Sequence, residues 1–157
     1  MSSPEASSAP SSTIDPVAAN ALQSALAAEH AALWCYSLII AFVPADQAKQ
    51  AREDEAAHRT LRGLVEQTLT DIGAKPVSAL PAYATPQPVT DARSAGNLAV
   101  VAETDALAAW RSVVERTSDG PLRTAALDAM TQGTLRCARW RVATGQTPAI
   151  PVFPGRS

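Results

Sequence analysis

Between Pro16 and Ala45 the chain carries a single carboxylate, Glu29, and it stands where a core residue belongs. Leu22, Leu26, Glu29, Leu33, Tyr36 and Ile40 follow at spacings of 4, 3, 4, 3 and 4, the rhythm of a helix seam facing other helices. The pattern predicts a long helix with Glu29 turned into the interior of a bundle. A buried, unpaired carboxylate costs several kcal/mol. It must therefore be protonated, hydrogen-bonded, ion-paired or bound to a metal.

Thirty-three alanines against seven glycines in 157 residues favour helix over sheet, in one domain large enough for a core of its own. A net charge of -2 gives no basic footprint for nucleic acid or an anionic membrane. No run reaches the 18 apolar residues of a membrane span; the best, Ala31 to Ala45, is broken by Pro44. The N-terminus has no basic residue ahead of an apolar core, as a secretory signal would. A cytoplasmic protein is expected, with Cys35 and Cys137 as small buried hydrophobes rather than a disulfide. Residues 1–12 form a Ser/Pro/Ala-rich tail expected to be disordered, ahead of a single domain over 13–157.

Four helices are predicted over about 16–43, 45–72, 92–117 and 121–144, called A to D below. Asp15-Pro16 starts the first, Pro44 ends it, and the second follows after almost no loop, making the two antiparallel neighbours. Pro76, Pro81, Pro86 and Pro88 then keep residues 74–90 extended. Such a segment reaches roughly 55 Å, more than the ~40 Å length of the helices. It can carry the chain to the other end of the bundle before the third helix. Short loop, long crossover, short loop is the ferritin-like order. The tail, 145–157, sets Ile150, Val152 and Phe153 among Pro148, Pro151 and Pro154. It is expected to form a second, C-terminal strap, lying in a groove of its own bundle or across a dimer.

Helix B adds Glu55 and His58 in phase with Leu61, Val65, Leu69 and Ile72. Helix C spaces Val100, Glu103, Leu107, Trp110 and Val114 by 3, 4, 3 and 4. Three helices thus each aim a carboxylate inward, with an imidazole beside one of them. Carboxylate oxygens and imidazole nitrogens are a donor set suited to iron or manganese, the cofactors these residues suggest.

The stretches Ala28-Glu29-His30-Ala31-Ala32-Leu33-Trp34-Cys35-Tyr36 and Glu55-Ala56-Ala57-His58-Arg59, the segments Pro81-Ala82-Tyr83 and Pro88-Val89-Thr90-Asp91, and Phe153-Pro154-Gly155 resemble a ferritin-like domain family of unknown function from high-GC bacteria. The resemblance covers about 15–155 and implies an all-α, ferritin-like four-helix bundle; it implies no activity. Metal-binding members of that superfamily use Glu on helix A, Glu-x-x-His on B, Glu on C and Glu-x-x-His on D. Glu29, Glu55, His58 and Glu103 match the first three. Helix D has neither Glu nor His, and its nearest substitute is Asp128-Ala129-Met130-Thr131. An alternative stripe, Leu122, Ala126, Ala129, Gly133, Cys137 and Trp140, would turn Asp128 aside.

The candidate metal ligands are accordingly Glu29, Glu55, His58, Glu103 and Asp128, and no catalytic residue is assigned. Two readings stay open. In one, these residues form a degenerate carboxylate/histidine metal site. In the other, the bundle is a metal-free, non-catalytic dimerisation or partner-binding module, and the inward acids pair with His58, share a proton, or meet an arginine such as Arg62 or Arg136. A metal-free interior predicts at least one acid with a raised pKa. His30, one step off the stripe, is expected at a helix flank. The expected assembly is a monomer or homodimer.

Overall fold

The computed structural model describes residues 14–156. The tail expected over 1–12 lies outside them. Four helices make up the regular structure of the described residues: α1 Pro16–Phe42, α2 Ala45–Asp71, α3 Ala92–Arg116 and α4 Gly120–Ala143. Each end falls within a residue or so of its expected place because local chemistry fixes it. Asp15 caps α1 by accepting from the Ala18 amide at 2.8 Å, with Pro16 opening the helix. Pro44, the residue ahead of α2, separates α1 from α2. Gly73, at φ 78°, turns the chain out of α2, while the Ala74 amide donates back to the Leu69 carbonyl at 2.9 Å. Asp91 and Ser94 form a capping box at the start of α3, and Asp119 caps α4.

The crossover, residues 72–91, runs along α1. Gln23, early in α1, donates to the Lys75 carbonyl and accepts from the Val77 amide, both at 2.8 Å. His30 follows at 3.0 Å from the Val77 carbonyl, which fixes its Nε2 as a donor. Trp34 then meets the Tyr83 ring at 5.9 Å, and Val89 packs with the cluster holding Ile39. The crossover therefore travels from the start of α1 to its end. The third helix enters beside the last turns of α1, antiparallel to α1 and parallel to α2. His30 does take the flank, where its imidazole pins the crossover.

Two apolar clusters fill the interior. One gathers Leu22, Leu26, Val65, Leu69, Trp110, Val113 and Leu122. The other gathers Tyr36, Ile39, Ala51, Leu98, Leu107, Cys137 and Trp140. By length and composition α1 could cross a membrane. Here it is a core helix of the bundle, with Glu29 buried at its middle.

The C-terminal segment does not seat its apolar side chains as expected. Ile150, Val152 and Phe153 remain 50%, 85% and 61% exposed. What docks is backbone: a Cβ added at Gly155 would lie 2.9 Å from the Leu107 carbonyl oxygen, so only glycine lets the tail lie that close to α3. Val152 and Phe153 border a shallow groove with Arg111, Val114 and Met130 while staying largely exposed.

Candidate functional site

Between the two apolar clusters lies a buried polar network drawn from all four helices. His58 of α2 is its centre. Its Nδ1 lies 2.6 Å from Glu29 Oε2 and its Nε2 lies 3.0 Å from Glu103 Oε1, all three side chains fully buried. Both ring nitrogens face carboxylate oxygens, so both must carry protons: this histidine is an imidazolium. Burial by itself would lower the His58 pKa, but the hydrogen bonds to Glu103 and Glu29 outweigh it and raise it from 6.5 to about 9.

The remaining acceptor sites are also filled. Trp110 donates its indole N–H to Glu29 Oε1 at 2.7 Å. The Tyr36 hydroxyl donates to Glu103 Oε1 at 2.7 Å. Arg136 of α4 reaches both Glu103 oxygens through Nε, at 3.1 and 3.2 Å. Burial opposes the Glu103 carboxylate, yet His58 and then Arg136 hold its pKa below the usual value. Burial and the neighbouring Glu103 and Asp54 push the Tyr36 hydroxyl well above its usual pKa, keeping it a neutral donor.

A third acid completes the network one turn along α2. Asp54 is buried and accepts from Trp140 Nε1 at 2.9 Å, Arg139 Nη2 at 3.1 Å and Gln50 Nε2 at 2.9 Å. Its Oδ2 also lies 3.5 Å from the Tyr36 hydroxyl.

Of the residues proposed from sequence, Glu29, His58 and Glu103 come together. Glu55 does not. It sits at the bundle surface in an i,i+4 pair with Arg59 at 2.7 Å, because one residue along a helix turns a side chain by about 100°. Asp54, four residues before His58, takes the interior position instead. Asp128 faces solvent, since the buried face of α4 runs through Leu122, Ala126, Ala129, Gly133, Cys137 and Trp140. The raised acid expected of a metal-free interior is not what Glu103 shows; the histidine rises instead, and Arg136 supplies the second cation. The indole N–H groups of Trp110 and Trp140 and the guanidinium of Arg139 were not anticipated at all.

A metal ion needs several donors aimed at one point. Here the two carboxylates nearest His58 lie at opposite nitrogens of its ring, each engaged by its own N–H or guanidinium donors. Arg136 adds a permanent positive charge against Glu103, where a cation would have to bind, and α4 contributes no carboxylate or imidazole. Among the described residues no group of three or more His, Cys, Asp or Glu is arranged to hold a metal. The donor set does not fit a dinuclear centre.

Residues 21–157 match the family described as "Domain of unknown function (DUF4439)", and the chain belongs to it. A solved structure, a conserved hypothetical protein, rv2844, from Mycobacterium tuberculosis, is similar at 32% identity and a TM-score of 0.79. That match covers 82% of this chain and 98% of that one. A ferritin-like, diiron-carboxylate protein from Bacillus anthracis str. Ames has the same fold at a TM-score of 0.71 and 13% identity, over 81% of this chain and 94% of its own. No curated protein matches the chain. The chain is thus a ferritin-like, all-α four-helix bundle with acids and a histidine buried at its centre.

Proposed function

We propose that this member of the family works as a metal-free, non-catalytic helical module, acting through binding rather than chemistry. The observation that carries the reading is the seating of Arg136 on both oxygens of Glu103 while His58 bridges Glu103 and Glu29. Positive charge that metal ions supply in other bundles comes here from an imidazolium and a guanidinium. Every acceptor of the two glutamates has a donor, which leaves no reactive opening at the centre. The reading extends to a cytoplasmic home, which the free, buried Cys35 and Cys137 support.

Binding surface is available on α4, where Leu127, Leu135 and Val142 are exposed on one side of the helix, with Ala138 between the last two. A second copy of the chain is the proposed occupant, giving a homodimer. Light scattering on the purified protein tests it. A dimer that Leu135→Glu reduces to monomer supports the proposal, and a monomeric parent protein rejects it.

The second reading is a residual iron or manganese site, and it rests on the shared fold with the Bacillus anthracis protein described as diiron-carboxylate. Elemental analysis separates the two. Protein from iron- and manganese-supplemented medium should carry far less than one metal per chain and melt at the same temperature with and without chelator. Stoichiometric iron that disappears in Glu29→Ala would establish the second reading instead.

A further inference from the structure

The crossover does more than connect α2 to α3, because it roofs a cavity. Ala28, Ala31 and Ala32 of α1 and Ala102 of α3 are too short to fill the space between these helices, and Tyr83, Ala84 and Pro86 close it from above. The space is about 230 Å³, and a smaller one of about 70 Å³ adjoins it, with Pro86, Leu98 and Val101 lining both. Its roof is held in place at several points. Trp34 packs against Tyr83, and the Tyr83 hydroxyl accepts from the Leu80 amide at 3.0 Å. The Asp91–Ser94 capping box fixes the far end.

Three polar side chains line the larger space, Cys35, Asp105 and Tyr83, whose hydroxyl is taken by the Leu80 amide. Cys35 is nearly covered, and burial, with Asp105 nearby, pushes its thiol up to about 11, so it is a neutral wall group. Asp105 has no hydrogen bond or ion pair among the described residues. It is the one carboxylate at a cavity otherwise walled by alanines, prolines, aliphatics and a tyrosine ring. Asp105 stands at the solvent-exposed edge of the space, where partial burial raises its pKa. An apolar chamber with a single unpaired charge at its edge selects a ligand with an apolar body and one opposite charge.

We propose that the chamber beneath the crossover is a binding site for a small apolar amine, its hydrocarbon against Ala31, Leu98 and Ala102 and its ammonium paired with Asp105. The site is independent of the buried network and stands whether or not the bundle centre holds a metal.

Isothermal titration of the full chain with phenethylamine and with 2-phenylethanol, its uncharged counterpart, tests this. One phenethylamine should bind per chain, about fivefold more tightly than the alcohol, the ratio that a partly exposed ion pair of about 1 kcal/mol provides. Asp105→Asn, at an exposed position where folding is not at stake, should bring the two affinities together. Ala31→Leu should fill the chamber and abolish both; should that variant fail to fold by circular dichroism, the Asp105→Asn comparison decides alone. Equal binding of amine and alcohol by the parent protein, no binding of either at millimolar concentration, or an amine preference that persists in Asp105→Asn would each overturn the proposal.

Discussion

Arg136 is where the charge balance of the interior is decided. Glu29, Asp54 and Glu103 bring three negative charges, and His58, Arg136 and Arg139 bring three positive ones. Replacing one partner of a buried pair strands the other, at a cost of about 3–5 kcal/mol. Arg136→Leu should therefore lower stability by that amount in urea titrations, with Arg136→Lys recovering only part of it. The network also predicts a pH profile. The His58 pKa is raised from 6.5 to about 9, so its contribution is complete below about pH 6.5 and drains away as pH climbs through 9. A rise of that size corresponds to ~3 kcal/mol. The Glu103 pKa is lowered from 4.5, so its contribution is present above that value and is lost as the solution is acidified below it. Stability should peak between about pH 5 and 6.5. His58→Gln should flatten the alkaline decline, and a parent protein equally stable at pH 6 and 9 would contradict the imidazolium. Glu29 and Glu103 were legible in the sequence because each is a lone acid on an apolar stripe. Asp54 was not. It stands in the run Glu53-Asp54-Glu55, where a shift of one residue changes the face, and the E-x-x-H spacing pointed to the wrong member. The signal that marks Asp54 is the longer register Ala51, Asp54, His58, Val65, Leu69, all buried.

At the scale of the element, helix ends were readable because aspartates, prolines and glycine act within a few residues of where they stand. Helix contacts were less so, since a glycine inside a helix looks the same in sequence whether space or crowding surrounds it. Gly63 and Gly96 separate the cases. A Cβ at Gly63 would meet nothing within 4 Å, whereas one at Gly96 would come within 2.7 Å of the Thr144 Cγ2. Gly63→Ala should stabilise the protein by about 0.5–1 kcal/mol through helix propensity alone. Gly96→Ala gains the same propensity but drives a methyl into the buried last turn of α4, where overpacking costs about 1–3 kcal/mol. Thermal melts of the two variants should move in opposite directions. If both rose, the close approach of α3 and α4 at that end would be softer than its geometry implies.

For the whole molecule, the order of helices and the long crossover followed from loop lengths and prolines, but the fate of the tail did not. Alternating prolines exclude a helix from the tail, which runs through bends and a closing turn at Phe153–Arg156; they do not say which way its side chains point. Because Ile150, Val152 and Phe153 stay exposed, removing residues 147–157 should cost little, about 1 kcal/mol or less, from the Gly155 contact and the bond from Arg141 to the Pro148 carbonyl. A large fall in the melting temperature would show that those apolar residues do dock. The crossover has a wider consequence. It divides the chain into two helical hairpins, and the charges of the network are not divided evenly between them. Glu29, Asp54 and His58 belong to the first hairpin, which on its own would bury one negative charge too many. Glu103, Arg136 and Arg139 belong to the second, which is left with one positive charge too many. The first hairpin cannot close around its own interior without an unmatched negative charge, and the second supplies its balance, from Arg136 inside and from Arg139, half exposed, reaching in to Asp54. Folding of this bundle should therefore be all-or-none across the crossover, with no stable half-folded form in which one hairpin waits for its mate.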